Sequence, residues 1–211
     1  MWNQDGSAIR KKVLENYRKY LQRKEVYKKF GYDIDRERDF ILQKAQPIFG
    51  DILEVGTGKG YFSLVLAKEG YHFVSVDISE EEQNFAKLIL RYFGLEKFAE
   101  FRVENAECLS FEDKSFDTIF SVNTLHHFRS PFKVIEELVR IVTFEGKIIL
   151  SDFTEEGLTI VDRIHQEEGR KHKVGRVSLS KIEDYFKERG FLVERYRTSF
   201  QQTLVGYHQI I

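Results

Sequence analysis

Residues 51–60 place a glycine at every second position directly after a short apolar strand, and this feature constrains the fold most. They read Asp-Ile-Leu-Glu-Val-Gly-Thr-Gly-Lys-Gly. A second apolar run, 72–76, ends at another acid, Asp77. Glycines let a backbone turn sharply and approach a ligand where a Cβ would collide. A carboxylate at the end of the second strand can accept hydrogen bonds from the hydroxyls of a ribose. The pattern predicts a strand-turn-helix unit that binds a nucleotide-like ligand at the helix N-terminus.

The spacing of the glycines distinguishes between ligands. A dinucleotide fingerprint reads G-x-G-x-x-G, whereas this chain has Glu54-x-Gly56-x-Gly58-x-Gly60. With the acid that precedes the glycines and the acid that ends the second strand, the sequence resembles the class I S-adenosylmethionine-dependent methyltransferases over roughly residues 48–153. The resemblance implies S-adenosyl-L-methionine as the cofactor.

Strand and helix patterns alternate from residue 51 onward, which indicates a parallel sheet with helices on both faces. Strands are predicted near 51–56, 72–77, 98–103, 115–122 and 146–152, and helices near 60–69, 80–93 and 131–142. A helix over 179–189 stops at Gly190, and two β-rich runs, 191–198 and 203–210, read as a hairpin joined by residues 199–202. The fold class predicted with the resemblance is α/β: a doubly wound, Rossmann-like, seven-stranded and mostly parallel sheet with an antiparallel last strand.

The first forty-six residues are predicted to form a helical extension of the same domain. Apolar residues recur at the helical period, with Ser7 as N-cap of the first helix, and a second helix over 33–46 ends before Pro47. We therefore predict one domain over residues 1–211, with N-terminal helices at 1–46 and an α/β core at 47–211.

The composition limits the locations and binding partners that the chain can have. The 211 residues are 42% hydrophobic, which supports a packed domain, and no run reaches the length of a membrane span. The single cysteine allows neither an internal disulfide nor a cysteine-based metal site, so a cytoplasmic location and no metal are expected. Residues 1–30 include nine basic and three acidic residues. This segment is either a solvated helical face or a binding site for an anionic partner. The net charge of −1 makes nucleic acid an improbable partner. The sequence is also compatible with a homodimer.

The resemblance assigns the acid and the turn residues of the first motif. Glu54 is expected near the methionyl ammonium of the cofactor, or else braces the loop. Gly56, Thr57, Gly58 and Gly60 form the turn that holds the cofactor.

It also assigns residues that follow the next strands. Asp77 is expected to bind the ribose and Ile78 to pack on the adenine. Asn105 and Ala106 are expected at the adenine edge, although the family has aspartate where this chain has Asn105, so Glu104 or Glu107 is an alternative. Ser121 and Asn123, at the end of the fourth strand, are expected beside the methionine part.

Candidates for a general base lie just beyond the fourth strand. His126 and His127 border the expected substrate side, and the alternative for either is a hydrogen-bonded loop residue. Asp152, at the end of the fifth strand, is a further cleft carboxylate. His165 and His172 lie in the polar stretch 154–177, where a cover over the active site could lie. Aromatic residues of the N-terminal helices, including Tyr27 and Tyr32, could cap a substrate or pack in the core.

The leading functional hypothesis is transfer of a methyl group to an oxygen, nitrogen or carbon atom of a small-molecule acceptor. A second hypothesis is a non-catalytic protein that binds S-adenosylmethionine or that works with RNA through its basic N-terminal helices. A third, a nicotinamide-dependent oxidoreductase, is disfavoured by the glycine spacing.

Overall fold

The structure, a computed structural model, describes residues 4–167, 169 and 178–208. In chain order, the α-helices are α1 Gln4–Lys29, α2 Ile34–Lys44, α3 Tyr61–Lys68, α4 Glu80–Phe93, α5 Pro131–Ile141, α6 Glu155–Glu167 and α7 Leu179–Glu188. The strands are β1 Ile52–Val55, β2 Phe73–Asp77, β3 Ala99–Val103, β4 Phe116–Val122, β5 Val142–Phe153, β6 Phe191–Arg197 and β7 Gln201–His208. Within these residues, no helix combines the length and apolar content needed to cross a membrane.

The strands form one seven-stranded sheet in the order β3-β2-β1-β4-β5-β7-β6. Neighbours from β3 to β5 pair in parallel, and β7 runs antiparallel to both β5 and β6. This confirms the predicted fold class. The strand order reverses direction between β1 and β4, and ligands of open α/β sheets bind beside the carboxyl ends of the strands at such a switch point.

Apolar side chains cover both faces of the sheet. One cluster joins β1 and β4 to α5 and α7, with Leu138, Ile182 and Phe186 fully buried. The other joins the opposite face to α2, α3 and α4 and includes Leu66 and Leu90. A smaller third cluster, in which Tyr32 and Phe153 are buried, joins α2 and α6 to the end of β5. It places the N-terminal helices against the carboxyl end of the sheet.

The structure corrects the start of the first helix and the end of the hairpin. Ser7 is not an N-cap, because α1 already includes Gln4. The single glycine before Ser7 costs a helix only about 1 kcal/mol and does not stop it. Gln201 and Gln202 belong to β7 rather than to the turn, since they pair with Phe153 and Asp152 of β5.

The polar stretch after β5 contains a helix, α6, which we did not predict from the sequence. Its buried residues Val161 and Ile164 are three positions apart, a spacing that places both on one helical face. The Thr154 hydroxyl accepts a hydrogen bond from the Gly157 N–H at 3.1 Å and braces the first turn. His172 lies outside the described residues.

Candidate active site

A cavity of about 680 Å³ opens at the carboxyl ends of β1, β2 and β4. Of the predicted cofactor residues, it is lined by Glu54, Gly56, Thr57, Gly58, Asp77, Ile78, Asn105, Ala106 and Asn123. The two predicted base candidates, His126 and His127, line it as well. The wall also includes residues from the N-terminal region, from the end of the sheet and from α6: Arg23, Tyr27, Tyr32, Arg38, Arg129, Phe153, Val161 and His165. Its size is that of a typical small-molecule site.

Two predicted cofactor residues, Gly60 and Ser121, are absent from this lining. A Cβ at Gly60 would lie 2.6 Å from the Ala86 Cβ, so this glycine lets α3 begin close against α4. The Ser121 side chain is fully buried within β4, and its hydroxyl has no hydrogen-bond partner. Both positions were selected by their place in a motif, and the motif does not distinguish a ligand contact from packing behind the site.

The first glycine turn is shaped by its neighbours. Gly56 has a φ of +89°, and a Cβ there would lie 2.3 Å from the Thr124 side chain. Gly58 has a φ of +49°, and a Cβ there would meet no protein atom within 4 Å. The Thr57 hydroxyl turns inward to Ser75 Oγ at 2.6 Å and braces the turn against β2. Gly58 is therefore the turn residue whose open side faces the cavity.

Asp77 holds the turn to the end of β2. Its Oδ2 accepts from the Gly58 N–H at 2.8 Å, and its Oδ1 accepts from the Ser79 N–H at 2.9 Å. The N-cap of α4 is Ser79, whose hydroxyl accepts from the Glu82 N–H. Each carboxylate oxygen has two acceptor positions, so Asp77 keeps one on each oxygen for a ligand hydroxyl.

Glu54 is almost fully buried, with 2% of its surface exposed, at the end of β1. Its Oε2 accepts from both Ser63 Oγ and Ser75 Oγ at 2.6 Å. Burial raises the pKa of Glu54 to about 7, and the two serine hydroxyls oppose this effect only in part. A cation bound beside Glu54 would lower the pKa again, because it stabilises the carboxylate.

The raised pKa makes stability depend on pH. The folded protein holds a proton on Glu54 that the unfolded chain releases near pH 4.5, so this group's contribution to stability is complete below pH 4.5 and is lost as pH rises to about 7. Glu54→Gln removes the titration but keeps an oxygen for both serines. Relative to the unsubstituted protein, the variant should gain about 3 kcal/mol between pH 4.5 and pH 8. Urea unfolding at several pH values measures the difference, and an offset that is independent of pH would contradict it.

The segment after β3 braces itself beside the cavity. Asn105 Oδ1 accepts from the Glu107 N–H at 3.0 Å, and Glu104 accepts from both the N–H and the hydroxyl of Ser110. Glu107 accepts from the Ser130 N–H at 2.9 Å. The backbone of Ala106 lies between these braced residues, and Asn105 Oδ1 has a second acceptor position.

His126 forms a buried pair with Asp152. Its Nδ1 lies 2.6 Å from Asp152 Oδ1, and its backbone N–H donates to Asp152 Oδ2 at 3.1 Å. The imidazole is 5% exposed and lines the cavity, whereas His127 is exposed. Because the carboxylate accepts the Nδ1 proton, Nε2 is the basic nitrogen of the neutral ring. Asp152 thus fixes the His126 ring in the cavity wall.

Arg38 is the most informative residue that sequence reasoning missed. The side chain is 7% exposed and lines the cavity, and its Nη1 donates to the Tyr32 hydroxyl at 3.0 Å. With the Asn123 amide oxygen turned toward it, Asn123 accepts from Nη1 and Nη2 at 3.1 and 2.8 Å. Arg38 Nε has no hydrogen-bond partner, and within the described residues no carboxylate lies within 4.0 Å of the guanidinium. An arginine on a helix gives no sequence signal for such a position.

Comparison with known proteins identifies the domain around this cavity. The methyltransferase domain family matches residues 53–150. Residues 53–150 form a methyltransferase domain. The predicted resemblance to the class I S-adenosylmethionine-dependent methyltransferases is confirmed for these residues, and S-adenosylmethionine is the cofactor of that class.

Relatives of known sequence and structure match the same region. An uncharacterized methyltransferase, YcgJ of Bacillus subtilis, is 30% identical over 101 residues, which are 48% of this chain and 40% of that protein. The 2-methyl-6-phytyl-1,4-hydroquinone methyltransferase of Synechocystis is 31% identical over 130 residues, 58% of this chain and 40% of that protein. The match therefore spans less than half of each relative. The PH0226 protein of Pyrococcus horikoshii superposes with a TM-score of 0.65 at 25% identity, covering 81% of this chain and 87% of that one.

The residues that line the cavity fit S-adenosylmethionine on three observations. At Gly58 the space that a Cβ would occupy contains no protein atom within 4 Å. Asp77 has unused acceptor positions at the end of β2. The Arg38 Nε–H has no hydrogen-bond acceptor in the protein. These match the needs of a nucleoside sugar and of an α-carboxylate. The described residues contain no group of three or more histidine, cysteine or carboxylate side chains that could hold a metal ion.

Proposed function

We propose that the chain is a small-molecule methyltransferase that uses S-adenosylmethionine. The observation that supports this most is one cavity lined both by the Gly58 turn and Asp77 and by His126, whose Nδ1 is hydrogen-bonded to Asp152. When bound, S-adenosylmethionine supplies a methyl group activated by a sulfonium centre. The protein then has to hold the acceptor atom in line with the bond between the methyl group and the sulfur, and to exclude water.

The proposed cofactor contacts follow from the chemistry of each group. Asp77 accepts from the ribose hydroxyls, and Asn105 and Ala106 serve the adenine edge beside Ile78, which is 72% exposed on the rim. Glu54 faces the methionyl ammonium, and Arg38 receives the methionyl carboxylate. A guanidinium presents parallel N–H groups that match a carboxylate.

Arg38→Met tests the carboxylate contact. The variant should bind S-adenosylhomocysteine at least tenfold more weakly, because a charge-assisted hydrogen bond contributes about 1.5–3 kcal/mol. Its affinity for 5′-methylthioadenosine, which lacks the carboxylate, should change less than about twofold. Arg36→Met, two residues earlier and exposed on the same helix, is the matched control. Equal losses for both ligands in Arg38→Met would show a structural role instead.

His126 is proposed as the general base for an acceptor that carries a proton. Its Nδ1–H donates to Asp152, which fixes the ring and stabilises the imidazolium that forms when Nε2 takes the proton. This favours a hydroxyl acceptor over one that is already deprotonated. The single cysteine favours a cytoplasmic location.

The function is tested by incubation with S-adenosylmethionine labelled in its methyl group and with three sets of acceptors: phenols, amines and carbon acids. The expected result is label in a phenolic product. A protein that binds S-adenosylhomocysteine but labels no acceptor of any set would favour the non-catalytic alternative.

A further inference from the structure

Three arginines line the cavity: Arg23 of α1, Arg38 of α2 and Arg129 after β4. Within the described residues, no carboxylate oxygen lies within 4.0 Å of any of the three guanidiniums. Arg129 is exposed to water, whereas Arg23 is partly buried and Arg38 is buried. Charged groups taken from water are normally paired, so Arg23 and Arg38 indicate anionic ligands. S-adenosylmethionine carries only one carboxylate, which leaves one of these two guanidiniums for another ligand.

The two arginines differ in depth and surroundings. Arg38 is buried and bonded to Tyr32 and Asn123 at the end of β4, where the proposed cofactor contact takes it up. Arg23 is only partly buried and lies close to the Tyr61 phenol. Burial raises the pKa of Tyr61 to about 12, and the Arg23 charge opposes that rise. Of these two arginines, Arg23 is therefore the one left for a second ligand.

Aromatic rings line the way from α1 to the proposed base. The Tyr27 and Tyr32 rings meet edge to face, with centroids 5.6 Å apart, and Tyr32 packs on Phe153 at 5.8 Å. Phe153 in turn packs on the His126 ring at 5.5 Å. Tyr32 is fully buried and supports the wall from behind, so the partly buried Tyr27 and Phe153, which is 8% exposed, are the rings that a planar ligand can contact. The imidazole at the end of this wall marks where the reacting atom of that ligand would lie.

We propose that the methyl acceptor is an aromatic carboxylate whose ring lies against Tyr27 and Phe153 and whose anionic group is bound by Arg23. The proposal rests on the proposed function, since it assigns Arg38 to the cofactor. A carboxylate takes two parallel N–H donors from a guanidinium, a geometry that a lysine does not provide. In this arrangement, Arg23 selects the acceptor by its carboxylate, and the position of the acceptor ring directs the acceptor hydroxyl toward His126.

The test is isothermal titration of the whole protein, saturated with S-adenosylhomocysteine, with three pairs of probes. The pairs are the acid and the neutral amide of dihydroxybenzoic, dihydroxyphenylacetic and dihydroxyphenylpropanoic acids, which vary the distance from ring to carboxylate. At least one acid should bind tenfold or more tightly than its amide. Arg23→Gln should reduce that preference to about twofold or less and leave the affinity for S-adenosylhomocysteine within about twofold. Arg18→Gln, on an exposed position of the same helix, should keep the preference.

Each other outcome overturns the proposal. If no acid binds more tightly than its amide, or if the preference survives Arg23→Gln, Arg23 does not recognise an acceptor carboxylate, while the proposed function stands. If the unsubstituted protein fails to bind S-adenosylhomocysteine, the proposed function fails first, and the assignment of the two arginines fails with it.

Discussion

Asp77→Ala is expected to bind S-adenosylhomocysteine at least tenfold more weakly than the unsubstituted chain. The carboxylate accepts from Gly58 and Ser79 and presents its remaining acceptor positions at the cavity. Two ribose hydroxyls bonded to it would contribute about 1.5–3 kcal/mol each, and 1.4 kcal/mol corresponds to a tenfold change in affinity. Isothermal titration measures the loss directly.

The matched control for this substitution is Asp117→Ala. Asp117 also braces two segments, since it accepts from the Asp51 N–H and the Thr143 hydroxyl at 2.9 Å, but it lies at the opposite end of β4 from the cavity. Both variants should lose stability in urea unfolding, while only Asp77→Ala should lose ligand affinity. Equal affinities for a folded Asp77→Ala and the unsubstituted protein would remove the ribose assignment.

His126→Ala is expected to lower kcat roughly 10²- to 10⁴-fold with a phenolic acceptor, the range typical of a lost general base. The affinity for S-adenosylhomocysteine should remain nearly unchanged, because the imidazole is assigned to the acceptor. Initial rates from labelled methyl transfer over a range of pH measure the effect. The pH dependence of kcat should change with the substitution.

His127→Ala is the natural control, since this ring lines the same cavity and lies 4.1 Å from the His126 ring but is exposed. It should lower kcat by much less than His126→Ala. Asp152→Asn should give an intermediate loss, because it removes the carboxylate that orients Nδ1 while leaving the base in place. Similar losses for the two histidine variants would argue that the pair only shapes the cavity.

The frame of the site could be predicted because it depends on local patterns. The alternating glycines, the acid at the end of β1 and Asp77 at the end of β2 occupy positions that a parallel strand-turn-helix unit fixes. Helix α4 was predicted with the observed bounds, since Ser79 and three acids mark its start and Gly94 its end. These signals lie within a few residues of the structure that they predict.

The rest of the site depends on contacts between distant segments. Arg38 reaches the cavity because the start of α2 packs against the end of β5 and against α6, and Asp152 pairs with His126 across 26 positions in the chain. Gly60 and Ser121 occupy motif positions but do not line the cavity. A Cβ at Gly60 would meet Ala86, and the Ser121 side chain is buried within the sheet. Which face a residue presents is decided by packing, and one sequence does not carry that information.

The most direct test of the central claim is isothermal titration of the purified protein with S-adenosylmethionine, S-adenosylhomocysteine and, separately, NADH. The account predicts dissociation constants on the order of micromolar for the first two ligands and no binding of the third. No binding of S-adenosylmethionine or S-adenosylhomocysteine, or binding of NADH in their place, would contradict it.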